Sequence, residues 1–247
     1  MKQTWSLLWL GWLCLVATVA TGAPCGGLTP CGCGDTVVAD YTVTADLTCP
    51  LSDPFAPALV IGDGVTVSGN SYRLTGTGGG IGVLFDGVHG ARVSGLNVTG
   101  FDVGVKLRGG ASGNVFSDAW VWGHWHGVEV EPGAGEGNSI VSVVSAYNQA
   151  DGIRLDGLSA QTVAYSVAWS NQTSLDLDRT TRTTVWMSIF WGDMGRAVNM
   201  RQAHQNAISF NNFLLGICAI DDTVSDHTFV DNAGTCEVVM APFPPGW

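Results

Sequence analysis

One short phrase keeps returning in this chain, and it narrows the possible folds more than any other feature. "GVKLRG" at 104–109, "GVEVEP" at 127–132, "DGIRLDG" at 151–157 and "SLDLDR" at 174–179 all alternate apolar residues with polar ones. The first apolar residue of each such unit is Val65, Val83, Val105, Val128, Ile153, Leu175, Val198, Cys218 and Cys236. These are separated by 18, 22, 23, 25, 22, 23, 20 and 18 residues. A period near 22 with a local period of two is the mark of a β-solenoid, in which each turn lays short strands on the turn below. Each turn also holds a second apolar segment, as in "ARVSGLNVTG" at 91–100 and "QTVAYSVAWSN" at 161–171. Helical periodicity is poor, and 34 glycines punctuate the chain too often for long helices. The expected fold is all-β: a single-stranded right-handed parallel β-helix of about eight turns over 59–240, with turns about 4.8 Å apart. The 25-residue step places extra residues in a loop at 131–138.

The ends read differently. "MKQTWSLLWLGWLCLVATVATGAP" has one early charge, an apolar run and small residues suited to cleavage. Residues 1–23 are therefore expected to be a secretory signal peptide, giving a secreted or periplasmic protein. Residues 24–58 read as a disulfide-bonded cap with the first strands, and 241–247 as a tail. No later segment is long and apolar enough for a membrane helix. Removing the leader takes away Lys2 and no acid, so the formal charge goes from −11 to −12 and Lys106 is the one lysine left. Such a chain neutralises few phosphates, which argues against nucleic acid and anionic membranes as partners.

The turn style "GIRLDG…NVFSDAWVWG" resembles the parallel β-helix repeat of the pectate-lyase-like superfamily, over residues from about 60 to 240. The opening "CGDTVVADYTVTADLTCP" at 33–50 resembles the first turns of bacterial exported β-helix proteins of unassigned function. The resemblance implies the fold and says little of function, because this fold hosts lyases, hydrolases, epimerases and non-catalytic modules. The six cysteines left after the leader fit disulfides in an exported chain. A Cys218–Cys236 bridge is expected one turn apart, with Cys33–Cys49 around the first strands and Cys25–Cys31 remaining.

Registering the turns converts the sequence into columns. One position after each leading apolar residue stand Leu84, Lys106, Glu129, Arg154, Asp176 and Asn199. Three positions after it stand Asp86, Arg108, Glu131, Asp156, Asp178, Arg201 and Asp221. Both columns should face outward on one sheet. One reading is a ladder of cross-strand ion pairs. The other follows from the resemblance: pectate lyases carry calcium on outward carboxylates and use an arginine as base. That would make Glu131, Asp156, Asp176 and Asp178 metal ligands and Arg154 the catalytic base of a polysaccharide lyase acting on uronates. Hydrolase and epimerase signatures (N-T-D with G-H-G and R-I-K, or D-P-H-D) are absent.

"HWH" is expected to put His124 and His126 on one side of a strand, close enough to share a metal, with no third ligand evident. Trp122, Tyr147, Trp169, Trp191 and Leu215 form an aromatic column that suits the interior or a half-buried corner. Trp120, Trp125 and Trp186 are the candidates for exposed sugar contacts. The sequons at Asn97 and Asn171 read as turn asparagines. The sequence thus suggests a β-helix binding extracellular or cell-wall polysaccharide through one sheet face and the 131–138 loop. A calcium-assisted lyase and a purely structural surface protein are the alternatives. No cofactor is required in the first reading, and calcium enters in the second.

Overall fold

The computed structural model describes residues 22–157, 159–192, 194–221, 227–234 and 237–241. The expected leader, Cys236 and the end of the chain from 242 lie outside these residues. Every strand pairing in a ladder is parallel, and the pairings join successive turns. The chain is an all-β parallel solenoid of about 8 turns.

The strands stack into three faces. The first is an 11-stranded sheet that starts at Pro24–Cys25 and runs through Val103–Arg108, Asp151–Asp156 and Thr173–Asp178. The second and third are stacks within one 16-stranded sheet, joined where Val115–Trp122 and Ser139–Ala146 continue around the bend. Asp118 and Ser142 bend those two strands by adopting φ of 54°.

The register fits the repeat in the middle turns and departs from it at both ends. Val83, Val105, Val128, Ile153, Leu175, Val198 and Cys218 stack in one buried column. Below them the column member is Leu59 rather than Val65, and above them Cys218 pairs with Val238 rather than Cys236. Val65 instead leads into the strand Thr66–Ser68 of the second face, a role its apolar character equally permits. The expected Cys218–Cys236 bridge falls on Cys236, outside the described residues. Cys25–Cys31 and Cys33–Cys49 are bonded as expected, near the N-terminal end.

The core is one column per inward position. The second face contributes Val67, Val93, Phe116, Ile140, Val163, Val185 and Ile208. The third contributes Leu74, Val98 and Val121, then Ser145, Ala168, Phe190 and Phe213. Each fully buried Val, Leu, Ile or Phe contributes about 1.5–3 kcal/mol of apolar transfer.

At the corners, left-handed residues turn the next side chain inward and build polar ladders. Asn148 Nδ2 donates to Asn171 Oδ1 at 3.0 Å, and the backbone N–H of His124 donates to Asn148 Oδ1 at 3.1 Å. Asn114 and Asn138 form a second ladder and Ser166, Ser188 and Asn211 a third. These side chains satisfy backbone groups that the tight corners would otherwise leave buried and unpaired. Asn171 is fully buried in its ladder, so its sequon is structural in the folded chain.

Candidate functional site

Two outer surfaces carry chemistry, and they differ in kind. The first face has the two expected charged columns, with a third at His126, Asp151 and Thr173. Lys106 Nζ lies 3.1 Å from Glu129 and also contacts Glu131. Arg154 reaches Asp156 at 3.2 Å, Glu129 at 3.7 Å and Asp176 at 3.9 Å. Arg179 binds the other oxygen of Asp156, and Arg201 reaches Asp178 at 3.2 Å. The side chains pack so closely that Lys106, Asp156, Asp176 and Asn199 are buried although they point away from the core.

Of the acids proposed as ligands, Asp156 and Asp176 lie against Arg154, whereas Glu131 contacts Lys106 and Asp178 contacts Arg201, so their oxygens already face guanidinium and ammonium groups. Among the described residues no group of three or more His, Cys, Asp or Glu is arranged to hold a metal ion. The carboxylates are engaged by three arginines, which a calcium ion would have to displace in order to bind them. Arg179 was not anticipated. It occupies the left-handed corner where neighbouring turns have Gly87, Gly109 and Gly157, so the corner position gave no hint of an ion-pair partner.

Asp176 is the perturbed carboxyl among the described residues of this face. Burial, and then the Asp151 carboxylate, push its pKa up to about 6 against the Asn199, Arg201 and Arg154 contacts. The order follows from distance: Asn199 donates at 2.6 Å, but both guanidiniums stand at 3.5 Å or more. His126 Nδ1 lies 3.0 Å from Asp151 Oδ2 without hydrogen-bond alignment.

His124 and His126 do not share a side. His124 points inward, buried, with Nε2 at 3.1 Å from the Val98 carbonyl and its ring stacked on Phe101. Burial lowers its pKa to about 4 despite those backbone contacts, so it is neutral at pH 7. The corner at Gly123 and the bend through Trp125 keep residues 123–125 out of the strand that begins at His126, so the alternation that would have placed both rings together does not hold.

The second surface is aromatic. On the third face Trp122, Ala146, Trp169, Trp191 and Leu214 share one outward column. The expected column is therefore corrected in membership, and its tryptophans point outward rather than into the core, with Trp122 and Trp169 half-buried. Tyr147 and Leu215 come one residue later, at corners with φ of 54° and 42°, and the tryptophans face out because Val121, Ala168 and Phe190 take the core.

Trp120 is also outward there and 52% exposed. It stands in the column of Arg73, Asn97 and Val144, and its backbone N–H donates to Asn97 Oδ1 at 3.0 Å. Ala146 is small between two tryptophans, and the gap it leaves is a cleft of about 410 Å³. Arg73, Asn97, Trp120, Trp122 and Tyr147 complete the lining. The Arg73 guanidinium lies 5.3 Å above the Trp122 ring, and Tyr147 meets Trp169 edge-on at 4.5 Å. Arg73 makes no ion pair among the described residues.

The three tryptophans expected at the surface lie apart. Trp125 is exposed at the corner between the third and first faces, where a second cleft opens. Trp186 is half-buried on the second face against Tyr165 at 4.8 Å. The 131–138 loop sits at the corner between the first and second faces, where Arg182 and Ser159 hold Glu136 at 2.7 Å each. It takes no part in either cleft. Sequence reasoning missed Arg73 and Asn97, which registering the second apolar segment of each turn would have placed beside Trp120.

No family model matches the chain, and no curated protein matches it. Among solved structures it is similar to an alginate lyase from Paenibacillus sp. str. FPU-7, with a TM-score of 0.52 at 13% identity over 83% of this chain and 85% of that one. It is also similar to the enzymatically active domain of tailspike protein 2 of bacteriophage CBA120, with a TM-score of 0.55 at 10% identity. That match covers 81% of this chain but 38% of the tailspike domain. The chain shares their parallel β-helix fold. At these identities the likeness is one of fold alone, and it carries no residue roles.

Proposed function

We propose that this protein is an exported β-helix that binds extracellular polysaccharide on its third face, in the cleft lined by Trp120, Trp122, Tyr147, Arg73 and Asn97. The cleft is the observation that carries the reading. Exposed tryptophan rings cost hydration unless something covers them, and the C–H face of a pyranose is a flat apolar partner. Arg73 and Asn97 add the few polar groups that orient a ligand in an otherwise apolar cleft. Because Arg73 pairs with no carboxylate among the described residues, an acidic sugar would supply one. The disulfides and the leader-like start support export.

Titration of the folded protein with glycans, followed by tryptophan fluorescence, tests this. Acidic oligosaccharides should change the emission, and Trp120→Ala should weaken binding about tenfold or more. If no glycan changes the emission, the reading fails.

A calcium-assisted uronate lyase on the first face is the second reading. It rests on Asp176, a buried carboxyl titrating near pH 6 beside Arg154, a pairing of the kind that proton transfer uses. In that reading calcium would displace the arginines that now hold the carboxylates. Growth of ultraviolet absorbance from unsaturated uronate, dependent on calcium and lost in Arg154→Ala, would establish it over simple binding.

A further inference from the structure

The second cleft lies in the same turns as the first. It has about 300 Å³ of space and is lined by Trp125, Asp102 and Gln149 above a floor of glycines. Trp122 and Trp125 are three residues apart, at most about 10 Å of chain. Between them the corner is Gly123, at φ +74°, where an added Cβ would meet only Thr99 Oγ1 at 3.5 Å. One turn later the same corner is Tyr147, which stands up as a wall. The two clefts therefore flank a low glycine corner, with no side chain at Gly123 between them.

Their polar groups are opposite in sign. Arg73 marks the first cleft, and the Asp102 carboxylate marks the second without a hydrogen-bond or ion-pair partner among the described residues. A carboxylate accepts hydrogen bonds from sugar hydroxyls or amides and repels another carboxylate. A uniformly charged uronate polymer would meet that repulsion at its second ring.

We infer that the two clefts form one site for an acidic heteropolysaccharide, with an anionic sugar against Arg73 and a neutral, hydroxyl- or amide-bearing sugar against Trp125, Asp102 and Gln149. This rests on the glycan-binding reading of the first cleft and adds the path and the composition of the chain. The site crosses the turns at the corner and leaves the charged first face free.

Calorimetric titration of the folded protein with three oligosaccharides of equal length tests it: alternating glucuronate and N-acetylglucosamine, uniform mannuronate, and neutral cellulose fragments. The alternating probe should bind about tenfold tighter than either uniform one. Trp125→Ala should lower that affinity by a similar factor, and Asp102→Asn should improve uniform mannuronate selectively. If Trp120→Ala weakens binding while Trp125→Ala and Asp102→Asn change nothing, the ligand is confined to the first cleft. The extended site is then wrong and the glycan-binding reading stands. If uniform mannuronate binds as tightly as the alternating probe, the composition is wrong. Loss of nothing in Trp120→Ala, or no binding by any probe, overturns both.

Discussion

His124 shows how one residue's surroundings decide its chemistry. In sequence it belongs to a metal-like "HWH", but in the fold it replaces an asparagine in a corner ladder whose next rungs are Asn148 and Asn171. Its pKa falls from 6.5 to about 4, because burial disfavours the imidazolium more than two carbonyls favour it. The unfolded chain takes up the proton at higher pH than the folded one. Stability from this residue is therefore intact above pH 6.5 and is lost as pH falls toward 4, to a limit of about 3 kcal/mol. For a chain of this size that is a melting-temperature decrease of about 2–4 °C per kcal/mol. His124→Asn should fit the ladder and remove this part of the acid sensitivity. Melting curves of the two proteins from pH 7 to 4 should diverge, and parallel curves would show that His124 is not the group responsible.

At the scale of the element, the first face shows what a period-22 repeat makes legible. Strand register over Val83–Cys218 follows from counting, and so do the charged columns, because parallel stacking in a solenoid repeats one outward position per turn. Whether Asp156 and Asp178 hold a metal or arginines does not follow, since Arg179 enters from a corner outside those columns. The aromatic column is less legible in the sequence for a related reason. Tyr147 lies one residue past Ala146, and a one-residue slip exchanges inside for outside. Asp176 supplies the test of the charged face. Its raised pKa means that stability is favoured below its unfolded value of 3.8 and is lost as pH rises through about 6. Asp176→Asn keeps the shape and removes the buried charge. The variant should be more stable than the parent at pH 8, by up to about 2–3 kcal/mol. The gain should shrink toward pH 4. A variant less stable at pH 8 would mean that Arg154 and Arg201 hold the carboxylate more firmly than their distances imply.

At the scale of the whole molecule, every turn touches chiefly its two neighbours, so stability is close to a sum of turns and the interfaces between them. The ends are then the weak points, each turn there having one neighbour instead of two. The N-terminal end is clamped by Cys25–Cys31 and by Cys33–Cys49, 16 residues apart in sequence. Closing a loop of that length contributes about 3 kcal/mol by restricting the unfolded chain. In a solenoid this gain is not spread evenly. It belongs to the turns between Cys33 and Gly76, which carry Cys33–Cys49 against the neighbouring strand Arg73–Gly76. Reduction should therefore speed amide exchange in Asp35–Val37, Leu47–Cys49 and Pro57–Ile61. Exchange in the central strands Asp151–Asp156 and Thr173–Asp178 should stay slow, because their neighbours on both sides are untouched. Hydrogen–deuterium exchange with and without a reductant checks this. Equal acceleration in all strands would show that the solenoid unfolds as a single cooperative unit, and that the disulfides stabilise the whole rather than its end.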